Sequence, residues 1–182
     1  DETRRYAALK AMSRMGQKVD QKDLIRLVED DSSRVRKMAT TLLVKTKLNT
    51  EIVSNLAISD YKDVREQALK IAVRSSRQQP EMIDALYDLM LDEEITIRTK
   101  ALQAIWMCNA EDKYEIYQQS LTDSEPVIRD VAARMLLSSN ELRARQLIED
   151  FRKTNKSVNI QHLEDLNIVT DLKDIAASQK DG

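Results

Sequence analysis

Glycine and proline are almost absent from these 182 residues, with two of each. A sheet protein needs such residues at its turns, so their scarcity argues against a β-rich fold and for helices joined by short turns. There is one cysteine, Cys108. It can form no internal disulfide, and it suits a reducing compartment, so the expected location is cytoplasmic. There is one histidine, His162. A transition-metal site would need more ligands of that kind, and a nucleophile would need a partnered base, so neither is expected. Aromatic residues make up 4% of the chain, too few for a base-stacking platform. No apolar run approaches the roughly 18 residues of a membrane span, and no signal peptide is visible. Glycine-rich phosphate loops and nucleophile elbows are also missing. Paired carboxylates such as Asp30-Asp31 and Asp92-Glu93 fall at helix starts, where capping accounts for them. The expectation is a protein without catalysis, metal or cofactor.

What is present is a repeat. Arginines recur at Arg5, Arg36, Arg65, Arg98 and Arg129, with spacings of 31, 29, 33 and 31. A period near 31 lies in the range of helical solenoid repeats. Three residues after each arginine stands an alanine: Ala8, Ala39, Ala68, Ala101 and Ala132. Just before it stand Arg4, Val35, Val64, Ile97 and Ile128, and seven residues after those come Ala11, Leu42, Ile71, Ala104 and Met135. Such positions share one helical face. Each motif therefore predicts an amphipathic helix with an alanine where a neighbour must come close.

Six residues before the arginine stand Asp30, Asp92 and Asp123, with Ser59 in that place in the remaining full repeat. An acidic residue there is expected to cap the helix. It is also expected to pair with an arginine of its own or the adjacent repeat, giving a ladder of Asp30, Arg36, Arg65, Asp92, Arg98, Asp123 and Arg129. Pro126 falls in a first helical turn, where its missing N–H costs nothing.

An apolar helix, then Asp, often Pro, then Val-Arg-x-x-Ala opening a second helix: this pattern resembles the HEAT family of helical repeats over roughly residues 3–150. The resemblance implies an all-α, right-handed α–α superhelix of about five repeats, closed by a C-terminal capping helix. It also implies a scaffold that binds other molecules, with the second helices lining the concave side. The expected organisation is a HEAT-like solenoid over 1–153 with a truncated first repeat, a linker over 154–159, and a C-terminal helix and tail over 160–182. Ile160, Leu163, Leu166, Val169, Leu172 and Ile175 supply the apolar stripe of that last helix. A detachable docking segment is its other reading. The chain opens on Asp1 inside a helix of the second type, so it reads as a piece of a longer protein.

The second-type helices, taken as 1–15, 32–48, 61–77, 94–108 and 124–140, hold 18 basic and 7 acidic residues, a net of +11. The other segments hold 11 basic and 24 acidic residues, a net of −13, and the two sets together give the chain's −2. Two columns fall on the exposed face of the second-type helices. One runs through Lys10, Thr41, Lys70, Gln103 and Arg134; the other, four residues on, through Arg14, Lys45, Arg74, Met107 and Ser138. Residues four apart share a helix face. Lys10, Arg14, Lys45, Lys70, Arg74 and Arg134 are therefore the candidate partner-binding residues, and the expected partner is a protein with an acidic segment. The alternative is a phosphate backbone in the same groove. HEAT-like folds also occur in alkylpurine DNA glycosylases, for which Trp106 and Asp130 are the only candidate aromatic and carboxylate, and in phycobilin lyases, whose chemistry no motif here supports. The low pI and few aromatics count against nucleic acid.

Overall fold

The computed structural model describes residues 1–154. Among them the backbone forms ten α-helices, one 3₁₀ turn and no strand. The helices are α1 (Glu2–Arg14), α2 (Gln21–Leu27), α3 (Ser33–Leu43), α4 (Thr50–Ala57), α5 (Lys62–Ser75), α6 (Asp84–Met90), α7 (Ile95–Met107), α8 (Lys113–Ser120), α9 (Pro126–Ser138) and α10 (Leu142–Thr154). The 3₁₀ turn Pro80–Ile83 leads into α6. The expected C-terminal helix, its linker beyond Thr154 and His162 lie outside the described residues.

Contacts divide the chain into two compact units, 1–108 and from 109 onward. In the first, α2–α3, α4–α5 and α6–α7 are helix hairpins. Helices α1, α3, α5 and α7 also pack side by side in that order, and α4 lies against α6. The repeat alanines explain the close layer: Ala39, Ala68 and Ala101 are wholly buried. Ala8 is exposed, because no helix among the described residues covers that face of α1. Leu43, Val53, Leu86, Leu89 and Ile105 fill the space between the layers with no measurable exposure; each such side chain contributes about 1.5–3 kcal/mol by leaving water.

Helix ends follow local chemistry. Gly16 stands just past α1 at φ +66°, as expected of a residue in the left-handed region. Its N–H donates to Ser13 O at 3.4 Å and that of Gln17 to Met12 O at 3.0 Å, the paired bonds of a Schellman turn. Asn49, not Thr50, caps α4, its side chain accepting from the Ile52 N–H at 3.0 Å. Helix α3 stops at Leu43 rather than near residue 47, where Val44 to Thr46 tighten into turns. Before α10, Ser139 Oγ accepts the Glu141 N–H, while the Asn140 side chain faces Arg145.

The second unit is built on the α8–α9 hairpin, with α10 packed on both. Tyr117, Leu121, Ala132, Leu136, Ala144 and Ile148 are among its buried residues. Burial raises the Tyr117 phenol far above its ordinary value.

Candidate partner-binding face

The repeat aspartate does not cap its helix. The N-cap residues are Ser32, Tyr61, Glu94 and Glu125, all in extended conformation and none with a side-chain cap bond. Two residues earlier, Asp30 accepts the Ser32 N–H at 2.9 Å, Asp92 the Glu94 N–H at 2.8 Å and Asp123 the Glu125 N–H at 2.8 Å. Ser59 Oγ does the same for Tyr61 N–H at 3.2 Å. The acidic residue thus shapes the turn before the helix, and a serine hydroxyl can substitute because the bond needs only an oxygen acceptor.

The repeat arginine closes the same turn from the other side. Arg36 Nη1 donates to Asp30 O at 2.8 Å and Asp31 O at 3.1 Å. Arg65 reaches Ser59 O at 2.9 Å, Arg98 reaches Asp92 O at 2.7 Å and Arg129 reaches Asp123 O at 2.7 Å. Arg36, Arg98 and Arg129 therefore reach the expected aspartates, but through backbone carbonyls rather than carboxylates. Each of these guanidinium groups spends one nitrogen on its own loop, and the rest of its fork remains.

In the first unit that remainder stitches repeats together. Arg5 grips Asp30 with two parallel bonds of 2.6 and 2.7 Å. Arg65 Nε donates to Asp92 at 2.7 Å, and its Nη2 to Glu93 at 2.9 Å. In the next repeat's position opposite Arg36 stands Ser59, which offers no carboxylate, and Arg36 turns to Asp63 at 3.1 Å instead. It also stacks 3.8 Å from the Tyr61 ring centre. Its hydrogen bonds with Arg5 hold the Asp30 carboxyl below its ordinary range. The same bonds raise the Arg5 guanidinium, and those from Asp92 raise Arg65.

With the ladder arginines occupied, other cations of the second-type helices face water. Lys10, Arg14, Lys45, Lys70 and Arg74 are all exposed. Among the described residues none of the five forms an ion pair; Lys10 lies 5.6 Å from the Tyr6 ring centre. Lys10 and Arg14 sit on α1, Lys70 and Arg74 on α5, and Lys45 in the turn just past the end of α3; α1, α3 and α5 are neighbours in one layer. The repeat arginines of these helices all bond forward to the following repeat; Lys10 and Lys70 stand five residues after theirs, and Arg14, Lys45 and Arg74 nine. On α7 the columns pass to half-buried Gln103 and exposed Met107, so the basic face ends there.

Arg134, on α9 in the second unit, differs. It is half-buried, and its Nε is shielded from solvent without an acceptor among the described residues. Asp130 and Trp106 are half-buried and belong to different units.

A cluster the sequence did not point to lies in this second unit. Lys113 is buried, and its ammonium donates to Asn109 Oδ1 at 2.8 Å and to Glu141 at 2.9 and 3.1 Å. Tyr114 also donates to Glu141, and Arg143 pairs with Glu115. The Tyr114 hydroxyl is pushed up to about 12, by burial first and its hydrogen bond to Glu141 next. Bonds from Tyr114 and Lys113 lower the Glu141 carboxyl. Together these bonds fasten the start of α8 to the start of α10. The Lys113–Glu141 separation of 28 residues leaves no local sequence signal.

Cys108 is a free, half-buried thiol 2.9 Å from Ser76 Oγ. Among the described residues no group of three or more His, Cys, Asp and Glu is arranged to hold a metal. No described helix is long and apolar enough to cross a membrane. A scan against protein-family models finds no matching family, and a search of curated proteins finds no matching relative.

Proposed function

We propose that this chain is a non-catalytic, HEAT-like repeat scaffold that binds a protein partner bearing an acidic segment. The observation that carries the reading is the set of five exposed, ion-pair-free cations on α1, on α5 and in the turn that ends α3. A lysine or arginine whose charge is already used in the fold gains little from a ligand. The ladder arginines are of that kind, and the five are not. In a HEAT-like superhelix these helices line the concave side, so an extended acidic segment lying across them meets all five in turn. Neighbouring helices stand about 8–10 Å apart, near the screening length of about 8 Å at physiological salt, so the charges act together on one ligand. Such a patch speeds association and loses strength as salt rises.

The test uses labelled poly-L-glutamate and a short DNA duplex as probes at low and physiological salt. Saturable, salt-sensitive binding of poly-L-glutamate with weaker binding of the duplex supports the reading. Preference for the duplex assigns the face to a phosphate backbone. Absence of binding to both at low salt removes the face as a docking surface.

A further inference from the structure

The basic face contains a cavity. Between the ends of α1 and α3 lies an open hollow of about 570 Å³, lined by Leu24 and Leu42 below and by Ser13, Lys18, Lys45 and Lys47 around the mouth. Its size falls within the range of roughly 300–1,000 Å³ typical of ligand pockets. Three other clefts of the molecule each carry carboxylates: Glu115 and Asp150 in one, Glu29 and Asp60 in the second, Asp88, Asp92 and Glu93 in the third. This cavity has none among its lining residues, and it has three lysines.

Lysines near helix C-termini often serve the helix itself, by bonding its free carbonyls. Here several of those carbonyls are already engaged. Met12 O and Ser13 O accept from Gln17 and Gly16. Leu42 O accepts from the Lys45 N–H at 3.1 Å and Leu43 O from the Thr46 N–H at 2.9 Å. Lys47 O takes the Gln21 amide at 2.8 Å. Lys18, Lys45 and Lys47 are exposed, and among the described residues none forms an ion pair. Their ammonium groups are left for something else.

We propose that this cavity is the anchoring point of the acidic partner. An apolar side chain of its linear segment enters the hollow between α1 and α3, and the carboxylates on either side of that side chain meet Lys18, Lys45 and Lys47. The inference rests on the reading of the basic face as a surface for an acidic segment, and adds that the segment carries an apolar residue at its centre. An apolar floor under a ring of cations fits that combination better than it fits a purely charged chain, which leaves the floor unfilled. It also fits better than a nucleic-acid backbone, whose phosphates carry no apolar group between them.

The experiment compares two fluorescently labelled peptides of equal charge, Asp-Asp-Glu-Trp-Glu-Asp-Asp and the same peptide with glycine in place of tryptophan. The unaltered protein should bind the tryptophan peptide about tenfold more tightly, which corresponds to about 1.4 kcal/mol. Ser13→Phe, which fills the hollow without changing charge, should bring both peptides to the affinity of the glycine peptide. Lys18→Gln together with Lys47→Gln should weaken both. Equal, salt-sensitive binding of the two peptides by the unaltered protein overturns the anchor and leaves the basic face standing. Retention of the tryptophan preference in Ser13→Phe overturns it as well. Failure of both peptides to bind at low salt overturns the anchor and the acidic-partner reading together.

Discussion

Arg65 Nε donates to Asp92 Oδ2 across 2.7 Å, with the two side chains only 8% and 1% exposed. The residues lie 27 positions apart, on successive repeats. Asp92 at the same time shapes the turn before α7 by accepting the Glu94 N–H. Arg65 closes the turn before α5 through the Ser59 and Asp60 carbonyls. One buried pair therefore ties together two turns that the chain builds separately, and fixes how one hairpin is seated on the next.

Arg65→Met should cost about 3 kcal/mol of unfolding free energy, because it strands a buried carboxylate and frees two buried carbonyls. Arg65→Met combined with Asp92→Asn should cost less than the two single changes added together. Urea denaturation followed by circular dichroism checks both. Strict additivity would mean that the two side chains are not energetically coupled.

Acid should loosen the first unit through Asp30. Its carboxyl titrates below its ordinary value, chiefly because Arg5 bonds it, so the folded protein takes up that proton less readily than the unfolded chain. Its contribution is then complete above about pH 4 and disappears as pH falls through the lowered folded value. Asp30→Asn should flatten the acid limb of a plot of urea midpoint against pH between about pH 6 and pH 2. An unchanged slope would assign the acid sensitivity to other carboxylates.

The Lys113–Glu141 pair should respond unequally to its two deletions. The lysine side chain is 7% exposed and the glutamate 48%. Removing the lysine leaves a carboxylate that water can reach, whereas removing the glutamate leaves a buried ammonium without its carboxylate partner, beside Asn109 and the Tyr114 ring. Glu141→Ala should therefore lower the melting temperature more than Lys113→Met does. The reverse order would contradict the burial argument.

Much of the helical order was legible because the repeat fixes both face and period. The helix Pro126–Ser138 falls within the expected span of 124–140, and the repeat alanines from Ala39 onward are buried where the spacing puts them. Helix ends were less legible, since they depend on which side chain accepts a bond: Asn49 and Thr50 both suit a cap, and only the backbone geometry separates them. Apolar identity alone also says little about exposure at helix ends. Ile58 and Leu91, the residues just after α4 and α6, are 68% and 87% exposed, because the last residue of a first helix has already turned away from the core. The ladder was half legible. Aspartate and arginine at fixed spacing announce a partnership, yet nothing in their types says that the arginine takes the carbonyls of its own loop and the carboxylate of the next repeat. The exposure of Lys10, Arg14, Lys45, Lys70 and Arg74 was legible from the columns that the alignment defined, whereas the early end of α3, which leaves Lys45 in a turn, was not. Arg134 obeys the same column and is half-buried, which its spacing could not reveal. Lys113 was out of reach, because its burial depends on residues 28 positions away.

The most direct measurement is a comparison of poly-L-glutamate binding by three proteins at equal salt: the unaltered chain, a variant with Lys45→Glu, Lys70→Glu and Arg74→Glu, and a control with Lys22→Glu, Arg26→Glu and Lys153→Glu. All six positions are exposed, and each variant changes net charge by the same amount. Helicity should remain near that of the unaltered chain in both, since surface changes away from buried contacts usually shift stability by no more than about 0.5 kcal/mol each. The account predicts that the first variant loses binding at least tenfold while the control keeps most of it. Equal losses in the two variants would show that only total charge matters, and would contradict a binding face formed by α1, α5 and the turn that ends α3.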